Sequence, residues 1–419
     1  MKTGRTDPGP MTAAPESAAR IQSLIVIAIL FALQVTDGID QAVLSFTAPF
    51  VRKDLGIGFE SLGAAFSAGY IGTALGAVLF GTLADYIGRK FALCLAAISF
   101  SIGSLCTIFV HTAPELVAIR LLTGLALGGL FPVVASLILE TVATHLRATA
   151  ATLVSVGTAA GVSLCGPLVA VIEPHFGWHA AFIIGGTIPA FLSILAIIFI
   201  SNPRPSKARP DESTEIGSRT VRTPLDSVAT LFKSDRWRIT LVLWVAIIAS
   251  GVAMFFSLSW LPSLAHSAGI KPGIAAIGPA IFSVAGMLVA ILIARVVDKA
   301  GFRVLVLTTA LGAPAFVLLG QSFGDGDAFL IVCGLAGAFS VSSVNLIGVI
   351  AGILYPHELR ARGVGWAVAV MRLGGSLAPL LGGFLIARAV PVQMIFLGVA
   401  INPLISGLAI WVLWKMAKR

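Results

Sequence analysis

Charge is what this chain has least of. Only 11% of its 419 residues are Asp, Glu, Lys or Arg, against roughly 25% in a soluble domain. A chain so poor in charge cannot cover a water-facing surface, and its mean hydropathy of +0.99 points the same way. Cysteine is also scarce. Cys94, Cys106, Cys165 and Cys333 are far apart, with no Cys-x-x-Cys or His pairing. Neither a metal site nor a disulfide framework is suggested. No glycine-lysine loop for phosphates appears, and no nucleophile–base constellation. ATP drive and enzymatic catalysis are therefore not expected, and no cofactor is. His111, His175, His179 and His266 fall in loops and read as ordinary loop residues. The formal charge of +9 would suggest nucleic acid in a soluble protein. Here it reads as membrane topology.

What is present is apolar length. A helix needs about 20 apolar residues to cross a bilayer. Twelve such runs occur, at 21–47, 61–83, 90–110, 114–139, 148–172, 178–200, 238–262, 273–297, 303–323, 327–354, 364–388 and 392–414. The sequence thus predicts an all-α polytopic membrane protein. The first run is longer than a signal-peptide core and is followed by many others, so it reads as an integral span. One break is long: 201–237 is proline-bearing, mixed in charge and poor in apolar residues. It divides the chain into a six-span bundle at 21–200 and another at 238–414, with tails at 1–20 and 415–419.

Lys and Arg set the orientation. With the N-terminus placed in the cytoplasm, 22 of the 28 basic residues fall on the cytoplasmic side. The outer side has four: Arg52, Lys53, Lys271 and Arg388. Arg120 and Arg372 lie inside spans. Both termini are expected in the cytoplasm, with the protein in the cell's inner (cytoplasmic) membrane.

The two halves repeat. Asp85 and Gly88, after the second span, align with Asp298 and Gly301, after the eighth, at an offset of 213. The same offset carries Leu146-Arg147-Ala148 onto Leu359-Arg360-Ala361. A shared register at two distant loops argues for a duplicated six-span bundle, with a site at the bundle interface near the membrane midplane.

Two acids sit in the first span. Asp37 and Asp40 flank Gly38-Ile39 and occupy neighbouring positions on one helix face, extended by Gln34 and Gln41. The other 17 acids are in loops, tails or span ends. A carboxylate at mid-membrane costs about 2.5–3.5 kcal/mol even on the lenient insertion scale. Desolvation and the neighbouring acid both favour the protonated form, so a proton-coupling role is expected for the pair. Arg120 lies about six residues into the fourth span, roughly 9 Å below the outer edge at 1.5 Å per residue. Asp37 is roughly 15 Å below it by the same arithmetic. Long side chains close that gap, so an Asp37–Arg120 pair is expected, with Asp40 tuning it. Glycines Gly157, Gly161 and Gly166 in the fifth span permit close helix contact.

Gly81-Thr-Leu-Ala-Asp85-Tyr-Ile-Gly88-Arg89-Lys90 resembles the signature loop of the major facilitator superfamily. The resemblance covers the whole chain. It implies twelve helices in two pseudo-symmetric six-helix bundles that rock around a central cavity. Asp37-Gly38-Ile39-Asp40 and the stretch Tyr355–Gly365, followed by Trp366 and Arg372, are similar to motifs of that superfamily's aromatic acid:proton symporters. Ile39 departs from the usual aromatic, and Ile200-Ser-Asn-Pro-Arg204 lacks the Pro-Glu-Ser common in that group.

By this resemblance Arg372 would hold a substrate carboxylate, with Asn345, Tyr70 and Trp366 beside it. Phe66, Trp244 and Phe256 are further candidates for the cavity wall, whereas Trp260, near a span end, reads as an interfacial belt residue. Gly81, Asp85, Gly88 and Arg89 would form a cytoplasmic gate with Glu140, Arg147, Asp298, Arg303, Glu358 and Arg360. The expected function is proton-coupled import of a small organic anion, an aromatic carboxylate, by alternating access. Proton symport suits an anion because it offsets the charge moved against an inside-negative potential. The alternatives are a proton antiporter exporting drugs or metabolites, which the two deep arginines disfavour, and a non-transporting membrane sensor. The partners expected are the anion, protons and lipid, with no nucleic acid, and the protein is expected to be a monomer.

Overall fold

The structure is a computed structural model that describes residues 13–142, 146–200, 229–232, 236–300 and 302–417. Expected segments at 1–12, 201–228, 233–235 and 418–419 lie outside these. Eleven helical segments among the described residues are long and apolar enough to cross a membrane. One of them, Arg147–Phe199, is folded back at Gly177, whose φ of 71° is left-handed. Glycine takes that conformation without a side-chain clash. This one hinge makes two crossings of one helix and brings the total to twelve.

The spans are numbered here in chain order. Spans 1 to 4 are Ala13–Leu55, Phe59–Ile87, Arg89–Cys106 and Ala113–Thr141. Spans 5 and 6 are the halves of Arg147–Phe199 before and after Gly177. Spans 7 and 8 are Arg236–Ser267 and Pro272–Ala300. Span 9 comprises Phe302–Ala310 and Gly312–Gln321, and span 10 is Gly326–Leu354. Span 11 comprises His357–Gly375 and Leu377–Ala387, and span 12 is Val392–Ala417.

Helix ends differ from the apolar runs. Span 1 continues to Leu55 rather than stopping at 47, because polar residues at the membrane surface keep their helical hydrogen bonds. Span 3 ends at Cys106 and tightens into the 3-10 turn Thr107–Phe109. Spans 9 and 11 each break once, three residues before Pro314 and Pro379. A proline removes the N–H that would bond the carbonyl four residues back and crowds that turn. In span 11 the neighbouring carbonyls find partners on other helices. Ser67 Oγ donates to the Ser376 carbonyl at 2.5 Å, and Trp260 Nε1 donates to the Pro379 carbonyl at 3.1 Å. These bonds tie the broken helix to spans 2 and 7 at membrane depth.

Helix contacts are tight where glycines meet. A Cβ on Gly38 would collide with the Thr158 carbonyl, and one on Gly161 with the Val35 carbonyl. Spans 1 and 5 therefore touch backbone to backbone, as small residues allow in a bilayer where apolar burial drives nothing. Span 2 meets span 11 in the same way at Gly63 and Gly383.

The buried cores show how the bundles sit. One cluster joins both bundles at the end expected to face outward: Val43 and Val51, Phe66, Trp260 and Leu264, Ala276 and Ala378. At the other end the cores are separate. One contains Leu30, Phe100, Val134, Val154 and Ala196, all of the first six spans. The other contains Leu243, Ile350, Ala367 and Ile410, with Tyr70 reaching in from span 2. The bundles share a core along the outer half, while along the inner half Tyr70 alone joins one bundle's core to the other's among the described buried residues.

Candidate functional site

Asp37 and Asp40 are both buried, 6% and 3% exposed, at the middle of span 1. Gly38 lets span 5 press against the helix between them. That approach delivers Thr158, whose Oγ1 donates to Asp37 Oδ2 at 3.3 Å and accepts from Gln34 Nε2 at 3.4 Å. One turn further on, Gln41 Nε2 donates to the same Asp37 oxygen at 2.9 Å. The polar stripe expected from Gln34, Asp37 and Gln41 is thus a connected network.

The two acids face different arginines. Asp37 makes no ion pair among the described residues, and Arg372 of span 11, across the interface between bundles, acts on it only at longer range. Arg372 is half-buried, and its Nη1 reaches the Thr73 carbonyl of span 2 at 3.5 Å. Asp40 instead pairs with Arg120 inside the first bundle, Nη1 to Oδ2, at 3.4 Å. Ser104 lies close by, its Oγ donating to the Phe182 carbonyl at 3.3 Å. Arg120 Nη2 donates to Thr107 Oγ1 at 3.1 Å, and its guanidinium lies 4.9 Å from the Phe182 ring centre.

The expected Asp37–Arg120 pair is therefore corrected to Asp40–Arg120. Depth explains it. Asp40 is three residues nearer the outer end than Asp37, or about 4.5 Å higher at helical rise. That matches Arg120 better, and Arg120's helix meets the Asp40 side of span 1. The pair is not saturated: Asp40 Oδ1 and Arg120 Nε have no partner. A small cavity of about 40 Å³ lies beside it, lined by Asp40, Gln41, Phe66, Tyr70, Thr73 and Arg120. A water needs roughly 10–15 Å³ by this kind of measure, so the space fits a few waters and not an aromatic ring.

The wall candidates divide. Tyr70 is buried where the bundles meet, its hydroxyl 3.4 Å from Ser259 Oγ and its ring 4.4 Å from that of Phe255. Trp366 packs with the same inner core as Tyr70. Asn345 is exposed and donates to the Val341 carbonyl of its own helix at 3.0 Å, so it is not brought to Arg372. Phe256 packs on Phe396 and Trp244 on Phe232. Trp260 is not a belt residue. It is fully buried, edge-on to Phe66 and Phe59 of the other bundle. Its indole N–H needs the Pro379 carbonyl, which only an interior position supplies.

In the expected gate, Arg89 pairs with Glu140 at 2.6 Å, within the first bundle. Gly88 between spans 2 and 3 has φ of 87°, a turn that favours glycine. Gly81 lies inside span 2, about two turns before this loop, and Asp85 is exposed without an ion pair among the described residues. Arg147 Nε donates to the Val142 carbonyl at 3.1 Å. Arg303 lies over the Trp414 ring at 5.5 Å. The side chains of Asp298, Glu358 and Arg360 lie outside the described residues.

Sequence reasoning missed Ser104, Thr107, Thr158 and Phe182. Each is small or apolar and carries no signal until a neighbouring helix is placed against it.

With twelve spans, a duplicated architecture and paired acids and arginines in hand, comparison with known proteins is informative. The profile of the Major Facilitator Superfamily matches residues 30–348. The chain belongs to that superfamily. A gallate transporter of Pseudomonas putida is 30% identical over 92% of this chain and 90% of its own length. A 4-hydroxybenzoate transporter of Pseudomonas aeruginosa is 29% identical over 86% of each chain. A 3-(3-hydroxy-phenyl)propionate transporter of Escherichia coli is 26% identical over 98% of each. Among solved structures, a bacterial homolog of the human lysosomal transporter Spinster superposes with a TM-score of 0.76 at 15% identity, covering 94% of this chain and 97% of that one. A D-xylose-proton symporter superposes at 0.72 and 18%, covering 94% and 98%. These two establish the fold. The chain is a multi-pass membrane protein of a transporter superfamily, similar to transporters of aromatic acids.

Proposed function

We propose that the protein imports a small aromatic carboxylate together with a proton by alternating access. The observation that supports this is that Asp37 of one bundle and Arg372 of the other, though not an ion pair, are near enough across the interface to act on each other electrostatically. An ionised Asp37 occupies the guanidinium electrostatically. A protonated Asp37 leaves it free to take a substrate carboxylate, which a planar guanidinium can hold through two parallel hydrogen bonds. Proton and anion thereby depend on each other at one arginine.

In this reading the proton reaches Asp37 from outside, and the anion docks against Arg372 with Tyr70 and Trp366 near its ring. The bundles rock, the cytoplasmic belt parts, and both ligands leave inward. Asp37 then ionises and re-engages Arg372, which resets the empty carrier. One proton with one monoanion moves no net charge, so the inside-negative potential does not oppose uptake. The Asp40–Arg120 pair is a fixed strut of the first bundle, and Asp37 carries the proton. The shared outer core and separate inner cores correspond to a carrier open toward the cytoplasm. The duplicated spans at 21–200 and 238–414 are the two rocking units.

The homology to gallate and hydroxybenzoate transporters supports the aromatic substrate. The test is uptake into liposomes under an imposed inward proton gradient, with benzoate compared with an aliphatic acid. Accumulation of benzoate in preference to the aliphatic acid is expected. No gradient-driven accumulation of either acid sinks the proposal.

A further inference from the structure

A second cavity lies at the outer end, away from the Asp37–Arg372 centre. It measures about 310 Å³, within the usual range of small-molecule sites. Arg52, Lys53 and Phe59 line it from the first bundle, and Ser263, His266 and Ser267 from the second.

Four observations give it a chemistry. Its two full charges are both positive, and neither Arg52 nor Lys53 makes an ion pair among the described residues. The acid next in sequence, Asp54, is engaged elsewhere, accepting from the Trp178 indole at 3.1 Å. The Arg52 guanidinium is held over the Phe59 ring at 4.5 Å, a cation–π contact that fixes it at the cavity wall. Ser263 and Ser267 add small polar residues to its wall from the second bundle. The neighbouring cavity beyond His266 is different: it is mainly apolar and carries an acid, Glu173. Sequence topology sharpens the point. Only four basic residues fall on the outer side, where Lys and Arg are normally depleted, and two of the four are Arg52 and Lys53.

We propose that this cavity, between the outer ends of spans 1, 2 and 7, is a second site for a small aromatic carboxylate. Arg52 and Lys53 hold the carboxylate, and Phe59 and His266 flank the ring. Because both bundles supply walls, the site is complete only while the outer halves are packed together. External anion bound there holds the bundles in that state and slows their return. The proposal rests on the aromatic-anion reading above, but it does not use Asp37 or Arg372.

The test is a ¹⁹F NMR titration of the full-length protein in phosphatidylcholine nanodiscs, with 4-fluorobenzoate as the probe. Wild type is expected to bind two equivalents and Arg372→Ala to keep one. Adding Arg52→Gln and Lys53→Gln to Arg372→Ala is expected to weaken the remaining binding about tenfold or more. An Arg372→Ala protein that binds no probe, or whose binding ignores the two glutamines, overturns the second site. Failure of the central reading looks different: Arg372→Ala then leaves the titration unchanged while the glutamine pair still removes one equivalent. Lipid phosphate is the competing anion. Replacing part of the lipid with phosphatidylglycerol is expected to leave probe binding within about twofold; abolition of the signal assigns the cations to headgroups and overturns the proposal. In uptake assays the Arg52→Gln/Lys53→Gln protein is expected to lose inhibition at high external benzoate while keeping its rate at low benzoate. Inhibition that persists unchanged contradicts the holding role.

Discussion

The Asp40–Arg120 pair makes an asymmetric prediction. At 3.4 Å, the attraction is about 5 kcal/mol at an effective dielectric constant of 20. Both groups are buried and each retains one unpartnered atom, so desolvation offsets much of that. Removing one partner of a buried pair still costs about 3–5 kcal/mol, because the other is left charged and alone. The two partners differ in how they escape. A lone aspartate can bind a proton, whereas a guanidinium cannot lose one in a protein. Asp40→Asn strands Arg120 as a cation with only Thr107 and the Phe182 ring beside it. Arg120→Gln leaves Asp40 free to become neutral. Asp40→Asn is therefore the more damaging, itself costing about 3 kcal/mol or more, and the double variant recovers at least half of that loss. The assay is the thermal unfolding midpoint of purified protein in detergent for both singles and the double. If the double falls by the sum of the singles, the residues do not act as a pair. If Arg120→Gln is worse than Asp40→Asn, the desolvation argument is wrong.

Other variants separate structure from transport. Gly38→Val should fail to give folded protein, since its side chain would enter the Thr158 carbonyl; a normal yield and elution profile would show that spans 1 and 5 are further apart than described. Trp260→Phe keeps an aromatic ring but loses the indole N–H bond to the Pro379 carbonyl, costing about 0.5–1.5 kcal/mol for the hydrogen bond; an unshifted melting midpoint contradicts this. Arg89→Gln removes a pair whose side chains are each 32% exposed, so stability should fall by no more than about 1 kcal/mol. A larger loss would mean that the loop carries a wider charge network.

Much of the architecture is written in the sequence because a bilayer leaves a chain few options. Apolar runs give the spans, basic residues give the expected sidedness, and a repeated loop gives the two halves. The site was only half legible. Asp37 and Asp40 stand out because acids are out of place in a membrane, and Arg372 for the same reason. Which acid meets which arginine depends on helix rotation as well as depth, and sequence spacing carries only depth. Asp40 and Arg120 meet because span 4 lies on that side of span 1. Trp260 misled because its position near a span end fits a belt, and only the second bundle, arriving at Phe59 and Phe66, buries it. Thr158 was silent because a threonine on an apolar helix says nothing until Gly38 admits it. The hinge at Gly177 was foreseen as a gap between spans, but not its form, a single left-handed residue.

The most direct test of the account is Asp37→Asn in proteoliposomes, measured in two modes with radiolabelled benzoate. The asparagine can keep the bonds from Gln41 and Thr158 and leaves Arg372 permanently free for the anion. Exchange of internal for external benzoate without a gradient should therefore continue, while accumulation driven by an inward proton gradient should vanish. Gradient-driven accumulation equal to that of the native protein would contradict the claim that Asp37 couples the proton to the anion.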